Sequence, residues 1–597
     1  MYWCDKLLGG VSGPQIINDS KTPSGRVHVG SLRGVLIHDI VCKILRERGI
    51  PVTYKFGVDD YDPVDSIPFG MEDHFEPYRG FPMCNVPAPP GSDASDMAMH
   101  YIEEFFGLFG ELGVEVERYH MRDVYRSGQF NEAIDTILRH PDVVREIYLK
   151  ISKSVRPDTW YPFQAVCEQC GRVGTTEVHD YDGKEVTYTC RPDLVTWAKG
   201  CGYRGKVSPF DGRGKLPWKL EWVAKWHSFP VTIEGAGKDH STKGGSRDVS
   251  SACLRRIFGG QPPLNIPYEF FLIGGAKMST SGGKGPWARV MADFLPAEAL
   301  RYLMLKSPAN RPVNFSTGEN DIVKLYNELD RCHGQVMSGK ANEDTQRIWQ
   351  LSALDDRGSY YDANFQLVST IVQMPHLDLE TEIEKQKGEP LTDLDKEHLA
   401  RRANSAKYWV DHLADDADKT QLQTSLPASS AELTVLQRAF ITRLRAVLDS
   451  AAWSSPSLQT LLFEVSRATP IRQGDAFQSL YRIFLDRTSG PRAGNLLAFL
   501  DRDFVLERCS EISVDTAAFW QASATDATTL SVWLTKQKTD ISAATSTTQW
   551  DADSATGCLE LTILDAKEKP HLHRFLLEAS DEASCASAAE SLLASLA

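Results

Sequence analysis

Apolar residues at Leu32, Val35, Leu36, Ile40, Ile44 and Leu45 return at helical spacing and stop before Gly49, a residue suited to the position just past a helix end. The period changes on either side. Residues 13–18 (GPQIIN) and 50–58 (IPVTYKFGV) read as strands, and 20–25 (SKTPSG) carries the Pro and Gly of a turn. The predicted unit is β-loop-α-β. It places the loop and the helix N-terminus at the carboxyl edge of a parallel sheet, where phosphates bind. Farther along, the pattern predicts helices over 296–305 (PAEALRYLML), 325–330, 399–413 and 433–448, with loops such as 424–430 (TSLPASS) between them. From about Glu511 the chain turns to Ala, Ser, Thr and acid, with a strand at 558–564 (CLELTIL) and an Ala-rich helix at 583–596.

A chain of 597 residues with 42% hydrophobic content can bury several cores, so three or four domains are expected. It has no run of eighteen apolar residues, and its N-terminus has no basic segment leading into an apolar one, which predicts a soluble protein that is not exported. Twelve cysteines in so long a chain fit a reducing compartment and a metal site better than a disulfide scaffold. The net charge of -15 argues at first against a nucleic-acid partner, but it is unevenly spread. From Glu511 onward there are 13 acidic residues against 5 Lys and Arg, whereas 437–508 holds 10 arginines, no lysine and 7 acids. A local basic surface for phosphates therefore survives, on helices rather than in the acidic tail.

Two short motifs carry the chemistry. His28-Val29-Gly30-Ser31 sits where the first strand's loop enters the helix. There the free N–H groups, the close approach Gly30 allows and the His28 donor suit a triphosphate or the pentavalent phosphorus made from it. Lys277-Met278-Ser279-Thr280-Ser281 lies in 274–285 (GGAKMSTSGGKG), whose glycines predict a mobile loop able to carry an ammonium to those phosphates. The pair points to cleavage of ATP between its α and β phosphates. A third constellation is Cys167-x2-Cys170 followed by Cys190 and Cys201, zinc-ribbon chemistry in which four thiolates close a structural tetrahedral site. His179 and His227 are open as replacements for one ligand. Trp218, Trp222 and Trp226 recur every four residues and so share a helical face, with Glu221 and His227 adjacent. Residues 235–246 (GAGKDHSTKGGS) have the small side chains of a strand end that admits a nucleotide, with Asp239 as an acceptor for ribose hydroxyls or an α-ammonium and His240 within reach of either substrate.

The blocks 22–34 (TPSGRVHVGSLRG), 215–226 (KLPWKLEWVAKW), 237–246 (GKDHSTKGGS), 268–271 (YEFF), 274–283 (GGAKMSTSGG) and 489–508 (SGPRAGNLLAFLDRDFVLER) together resemble class I lysyl-tRNA synthetase, over roughly residues 10 to 510. The resemblance implies an α/β fold: a Rossmann-like parallel-sheet catalytic domain at 1–295, with a zinc-ribbon-containing insertion at about 90–215. An α-helical bundle at 296–510 that binds the anticodon and a small acidic C-terminal extension at 511–597 of unknown role would follow. It implies a cytoplasmic lysine–tRNA ligase acting on lysine, ATP with Mg2+ and tRNA(Lys). Lysine carboxylate would attack the α-phosphorus of ATP, and the terminal adenosine of the tRNA would then take the lysyl group through its 2′-hydroxyl. By resemblance His28, Lys277, Ser279 and Ser281 are catalytic. Pro23, Ser24, Gly25, His28, Gly30, Ser31, Asp239, Lys277 and Met278 hold ATP. Ser20, Thr22, Trp218, Trp222, His240 and Tyr268 hold lysine, with Glu221 as ammonium partner, and spacing leaves open which tryptophan faces it. Asp59 and Asp60 are open between the ATP metal and ordinary turn formation. Two positions depart from the pattern: Ser31 stands where His or Asn is common, and Thr280 where many class I enzymes have a second lysine, which leaves Lys277 dominant with Lys284 as a possible assistant. Two other readings stay open, an adenylating enzyme with a non-tRNA acceptor and a non-catalytic RNA-binding relative.

Overall fold

In the computed structural model the chain is described from Met1 to Leu596, except residues 274–275, 278–285, 317–320, 355–357, 375–376, 415–418, 420–421, 540, 542–543 and 566; for Ala276 and Lys277 the backbone alone is described. Chain packing divides it into two units, Met1–Phe365 with Thr392–Ser405, and Gln366–Leu391 with Ala406–Ala597.

The first unit is organised by five parallel strands: β1 Gln15–Lys21, β2 Val52–Val58, β3 Glu117–His120, β4 Ile233–Gly237 and β5 Leu264–Tyr268. Their order across the sheet is β5-β4-β1-β2-β3. The chain leaves β1 toward β2 on one side and returns to β4 on the other, so the crevice at the carboxyl ends of β1 and β4 is the topological switch point where ligands bind in such sheets. The helix read from the apolar period is α1, Ser31–Glu47, with Gly49 just beyond it at φ 71°.

Arg33, on α1, is 1% exposed and spends its guanidinium on backbone carbonyls, donating to Glu269 (3.1 Å), Met304 (2.9 Å), Pro308 (3.2 Å), Ala309 (3.4 Å) and Arg311 (2.8 Å). It thereby ties the first motif's helix to the chain that follows β5. There the strand Phe271–Ile273 pairs with Ala276–Lys277 on one side and Val313–Phe315 on the other.

Between β3 and β4 lies the cysteine-bearing insertion. Its strands Thr176–Tyr181, Val186–Cys190 and Arg204–Val207 form a small antiparallel sheet. Val178 and Tyr188 of that sheet share one buried cluster with Leu220, Val223 and Trp226 of the helix α2, Trp218–Ser228. The insertion and the tryptophan helix are therefore one packed body rather than a tethered knob.

The second unit is mainly helical. The expected helix at 433–448 is Val435–Leu448, opened by a reciprocal capping box between Thr434 and Gln437. The acidic tail folds as a three-stranded antiparallel sheet, Thr545–Asp551, Thr556–Leu564 and Pro570–Leu577, with Glu582–Leu596 against it. Phe519, Trp520 and Cys558 share a buried cluster with Ala439, so the tail is packed onto that helix.

Candidate active site

A cavity of ≈ 1080 Å³ opens at the switch point. Ser20, Thr22, Ser24 and Ser31 line it from the β1–α1 side, and Trp218, Glu221 and Trp222 from α2. His240 and Tyr268, from the ends of β4 and β5, complete the set expected for amino-acid binding. Pro23 and Gly25 are buried within the loop, and Gly25 sits at φ 155°, a conformation open to glycine. Gly30 takes the cap position of α1.

The two sequence motifs approach one another, although most of the second lies outside the described residues. His28 forms a β-bridge with Trp287, the Val29 N–H donates to Pro286 O at 3.1 Å, and the Ala288 N–H donates to Val27 O at 2.8 Å. The backbone of Lys277 pairs with Leu272 on the other side of the loop. The C-terminal end of the second motif's loop is thus anchored against the first motif, and its N-terminal end on the strand Phe271–Ile273. Met278, Ser279, Thr280, Ser281 and Lys284 are outside the described residues, as is the Lys277 side chain.

The face of α2 toward the cavity carries two kinds of side chain. One is the aromatic ladder: Trp218 and Trp222 ring centroids lie 6.1 Å apart, Trp222 and Trp226 5.2 Å, and His240 stands edge-on to Trp218 at 5.2 Å. Trp218 is 44% exposed and Trp222 half-buried, whereas Trp226 is buried with its indole N–H on Glu234. Glu234 also accepts from Asn18 Nδ2 at 2.8 Å, and Asn18 Oδ1 accepts from the Tyr119 hydroxyl at 2.8 Å. This buried chain pins α2 across β4, β1 and β3. Trp226 is therefore part of the frame, and the tryptophans at the cavity are Trp218 and Trp222.

The other kind is a ladder of charge. Lys225 Nζ pairs with Asp59 and lies 3.3 Å from Ser20 Oγ and 3.8 Å from Glu221. Lys215 Nζ pairs with Asp62 and, at 3.0 Å, with the other oxygen of Glu221. Ser20 donates to Asp59 Oδ2 at 3.0 Å and Thr22 to Asp62 Oδ2 at 3.2 Å. Glu221 receives a further hydrogen bond from Tyr125 at 2.7 Å. Burial opposes charge on both lysines, but Asp62 and Glu221 around Lys215, and Asp59, Tyr119 and Glu221 around Lys225, raise them above the ordinary lysine range. Burial also pushes the Glu221 carboxyl up, with the two ammoniums pulling the other way. The groups bonded to it are donors, the surroundings of a carboxylate.

Glu221 was expected to meet a ligand ammonium, and the structure gives it two protein ammoniums instead. Of the acidic pair left open after β2, Asp59 faces the cavity, while Asp60 is buried and accepts from the backbone N–H (2.8 Å) and guanidinium of Arg122. Asp62, Lys215 and Lys225 were missed from sequence. The signal was faint: lysines in a tryptophan-rich block, spaced like ordinary surface residues. Asp239 is half exposed beside His240, 4.0 Å away. Burial and the nearby Asp19 charge push the Tyr268 phenol well above its usual range, so it serves as a neutral hydroxyl.

The four cysteines converge, their Sγ atoms all within 4.8 Å of one another. Cys167 to Cys201 and Cys170 to Cys190 are each 3.7 Å. His179 is engaged with Thr189 at 2.9 Å and His227 lies tilted against Phe258 at 4.5 Å, and neither belongs to the convergent group, so neither replaces a thiolate. The knuckle is fastened to the loop after β2: Val173 and Gly174 N–H groups both donate to Gly80 O, at 2.7 and 3.1 Å, and Gly80 N–H donates to Val64 O at 3.0 Å. Asp62 O accepts from the Met83 N–H in the same loop, at 3.0 Å.

Among known proteins, the family described as tRNA synthetases class I (K) matches residues 6–355. The lysine–tRNA ligase of Thermoplasma volcanium is 30% identical over 514 residues, covering 86% of this chain and 99% of its own length. Those of Picrophilus torridus and Methanosarcina barkeri are each 30% identical, covering 86% of this chain and 100% and 98% of their own lengths. Among the described residues, no helix is long and apolar enough to cross a membrane.

Proposed function

The chain belongs to the class I tRNA synthetases for lysine, and we propose that the cavity at the β1–β4 switch point is where both steps of its reaction take place. It is a lysine–tRNA ligase, joining lysine to tRNA(Lys) at the expense of ATP. The observation that supports the placement is convergence. Ser31 of the first motif, the Trp218–Trp222 face and the end of β4 line one crevice of a parallel sheet, and the loop of the second motif returns to the chain at Trp287, bridged to His28.

In this reading ATP, brought with Mg2+ held mainly by its own phosphates, lies along the first motif and the end of β4. His28, the N–H groups at the start of α1, Ser24 and Ser31 neutralise its phosphates, with Asp239 on the ribose. Lysine lies against Trp218 and Trp222 with His240 and Tyr268 around it. Its carboxylate oxygen attacks the α-phosphorus, the bond to the bridging oxygen breaks, and pyrophosphate leaves. Positioning and charge neutralisation suffice for this step, so no protein nucleophile is needed. Lys277, with Ser279 and Ser281, closes on the charge that develops. The 2′-hydroxyl of the terminal adenosine then attacks the activated carbonyl and releases AMP. The helices after the catalytic region, through about residue 510, carry the anticodon arm, whose unpaired bases suit stacking and edge recognition. Because its substrate is tRNA for translation, the enzyme is assigned to the cytoplasm.

For the cysteine knuckle we infer a structural Zn2+. A tetrahedron with Zn–S bonds of about 2.3 Å has S···S edges of about 3.8 Å, and two of the sulfur pairs stand at 3.7 Å. The Cys201 N–H and the Thr175 hydroxyl, each 3.3 Å from Cys190 Sγ, provide the donors a thiolate needs. Four thiolates leave no open position, so the ion would take no part in the chemistry.

The test is to charge unfractionated tRNA with each amino acid in turn. Lysine alone should be esterified, and charging with a different amino acid would overturn the specificity.

A further inference from the structure

The charge ladder beneath the cavity is unbalanced. Three carboxylates, Asp59, Asp62 and Glu221, face two ammoniums, Lys215 and Lys225; Lys21, which also lines the cavity, is matched first by Asp19 and only then by Asp59, so with that pair counted the surplus is still one negative charge. Glu221 is enclosed, its side chain 4% exposed, and both lysines are 3% exposed or less. Of the three carboxylates, Asp59 and Asp62, at 16% and 20% exposure, are the ones open enough to meet a ligand in the cavity. Each has one oxygen on a buried lysine and the other on a hydroxyl, Ser20 or Thr22. A carboxylate oxygen accepts two hydrogen bonds, so the outer oxygens keep capacity toward the cavity. The Thr22 hydroxyl, spending its proton on Asp62, can accept as well.

Resting on the lysine–tRNA ligase reading, we propose that Asp59 and Asp62 together seat the side-chain ammonium of the substrate. The substrate supplies the third positive charge that the ladder lacks. Trp218 and Trp222 lie on the same face of α2 as Glu221 and Lys225 and wall the methylene stem. Glu221 is a positioning residue: it fixes Lys215 and Lys225 so that neither can swing out and neutralise the seat. A side chain without an ammonium would bury the surplus charge uncompensated, which is how the site rejects apolar analogues of similar length.

The test uses ATP–pyrophosphate exchange by the full-length enzyme, with tRNA(Lys) present, for L-lysine, L-ornithine and L-norleucine. Asp62→Glu and Asp59→Glu keep the charge and the partner lysine while moving the carboxylate one methylene into the cavity, so they should favour the shorter amine. At least one should raise the ornithine-to-lysine ratio of kcat/KM by about tenfold, the order that one methylene is worth in a fitted pocket. Asp62→Asn should raise KM for lysine well above its effect on KM for ATP and lower the lysine-to-norleucine ratio. Melting curves identify variants that fold. If every folded, active variant keeps the wild-type ratios, the seat lies elsewhere and the proposal fails. If the wild type gives no lysine-dependent exchange, the ligase reading itself fails, and the proposal with it.

Discussion

Removing metal from the cysteine knuckle should weaken the enzyme for lysine before it weakens it for ATP. Gly174, Thr176 and Glu177, which follow the knuckle's first two cysteines, line the cavity away from the first motif. The knuckle also holds the loop after β2 through the two N–H bonds of Val173 and Gly174 to Gly80 O, at 2.7 and 3.1 Å, and through Arg172 Nε to Arg79 O at 2.9 Å. That loop carries Asp59 and Asp62. At a net ~1 kcal/mol per hydrogen bond, with part retained when the loop loosens, about 2 kcal/mol of positioning is at stake. Placed wholly on lysine binding, this corresponds to roughly a 30-fold rise in its KM. With ATP placed on the β1–α1 side, as proposed, its KM should stay within about threefold, an effect under ~0.7 kcal/mol. The assay is pyrophosphate exchange before and after zinc removal by chelator, with metal content measured on the same samples, and with Cys170→Ser as a genetic counterpart. An enzyme shown to have lost its zinc but retaining both KM values would refute the coupling. So would equal increases in both, which would mean general unfolding.

Lys277→Ala should lower pyrophosphate exchange by about 100- to 1,000-fold, the usual cost of losing one transition-state charge donor, while the melting temperature stays put; wild-type exchange would remove the loop lysine from the mechanism. Tyr125→Phe strips the buried Leu216 N–H of its acceptor (3.0 Å) and Glu221 of a donor (2.7 Å), so the urea unfolding transition should lose ~3 kcal/mol. A loss below about 0.5 kcal/mol would show that neither bond forms in solution. Burial works against charge on Asp96, but the Arg122 guanidinium, at 2.6 and 2.9 Å, together with the Ser95 hydroxyl and Met99 N–H, holds its carboxyl below 3.8. A depressed folded value gives stability that is present above the unfolded value and lost as pH falls through the folded one. Melting temperatures from about pH 6 downward should therefore fall more steeply below about pH 4 for wild type than for Asp96→Asn, and parallel curves would contradict the assignment.

Much of the catalytic half was legible because its signals are local. The period of Leu32 to Leu45, the turn chemistry of 20–25 and the spacing of Cys167 and Cys170 each concern residues that fold against near neighbours. The tryptophan face was legible for the same reason: a four-residue repeat must share a side of a helix. Which of those rings lines the cavity was not, because Trp226 is withdrawn by Glu234 on the next strand, which is itself fixed by Asn18, 216 residues earlier in the chain. The tail was read as a change of composition, and its docking on the Val435–Leu448 helix depends on side chains that composition does not place.

The amino-acid sequence by itself determined the parallel α/β scaffold, the Cys167–Cys170 pair and the lysine-ligase resemblance, since the first two rest on periodicity or on residue types at fixed short spacing and the third on matching blocks along the chain. Tertiary structure alone decided the electrostatics of the cavity. Lys215 meets Asp62 across 153 residues of chain and Lys225 meets Asp59 across 166. Charges read along a sequence carry no sign of their partners, and Coulomb's law acts through space. Glu221, which the resemblance offered as partner for a ligand ammonium, is thus the anchor of two lysines, and Asp59 and Asp62 are the more exposed carboxylates at the cavity.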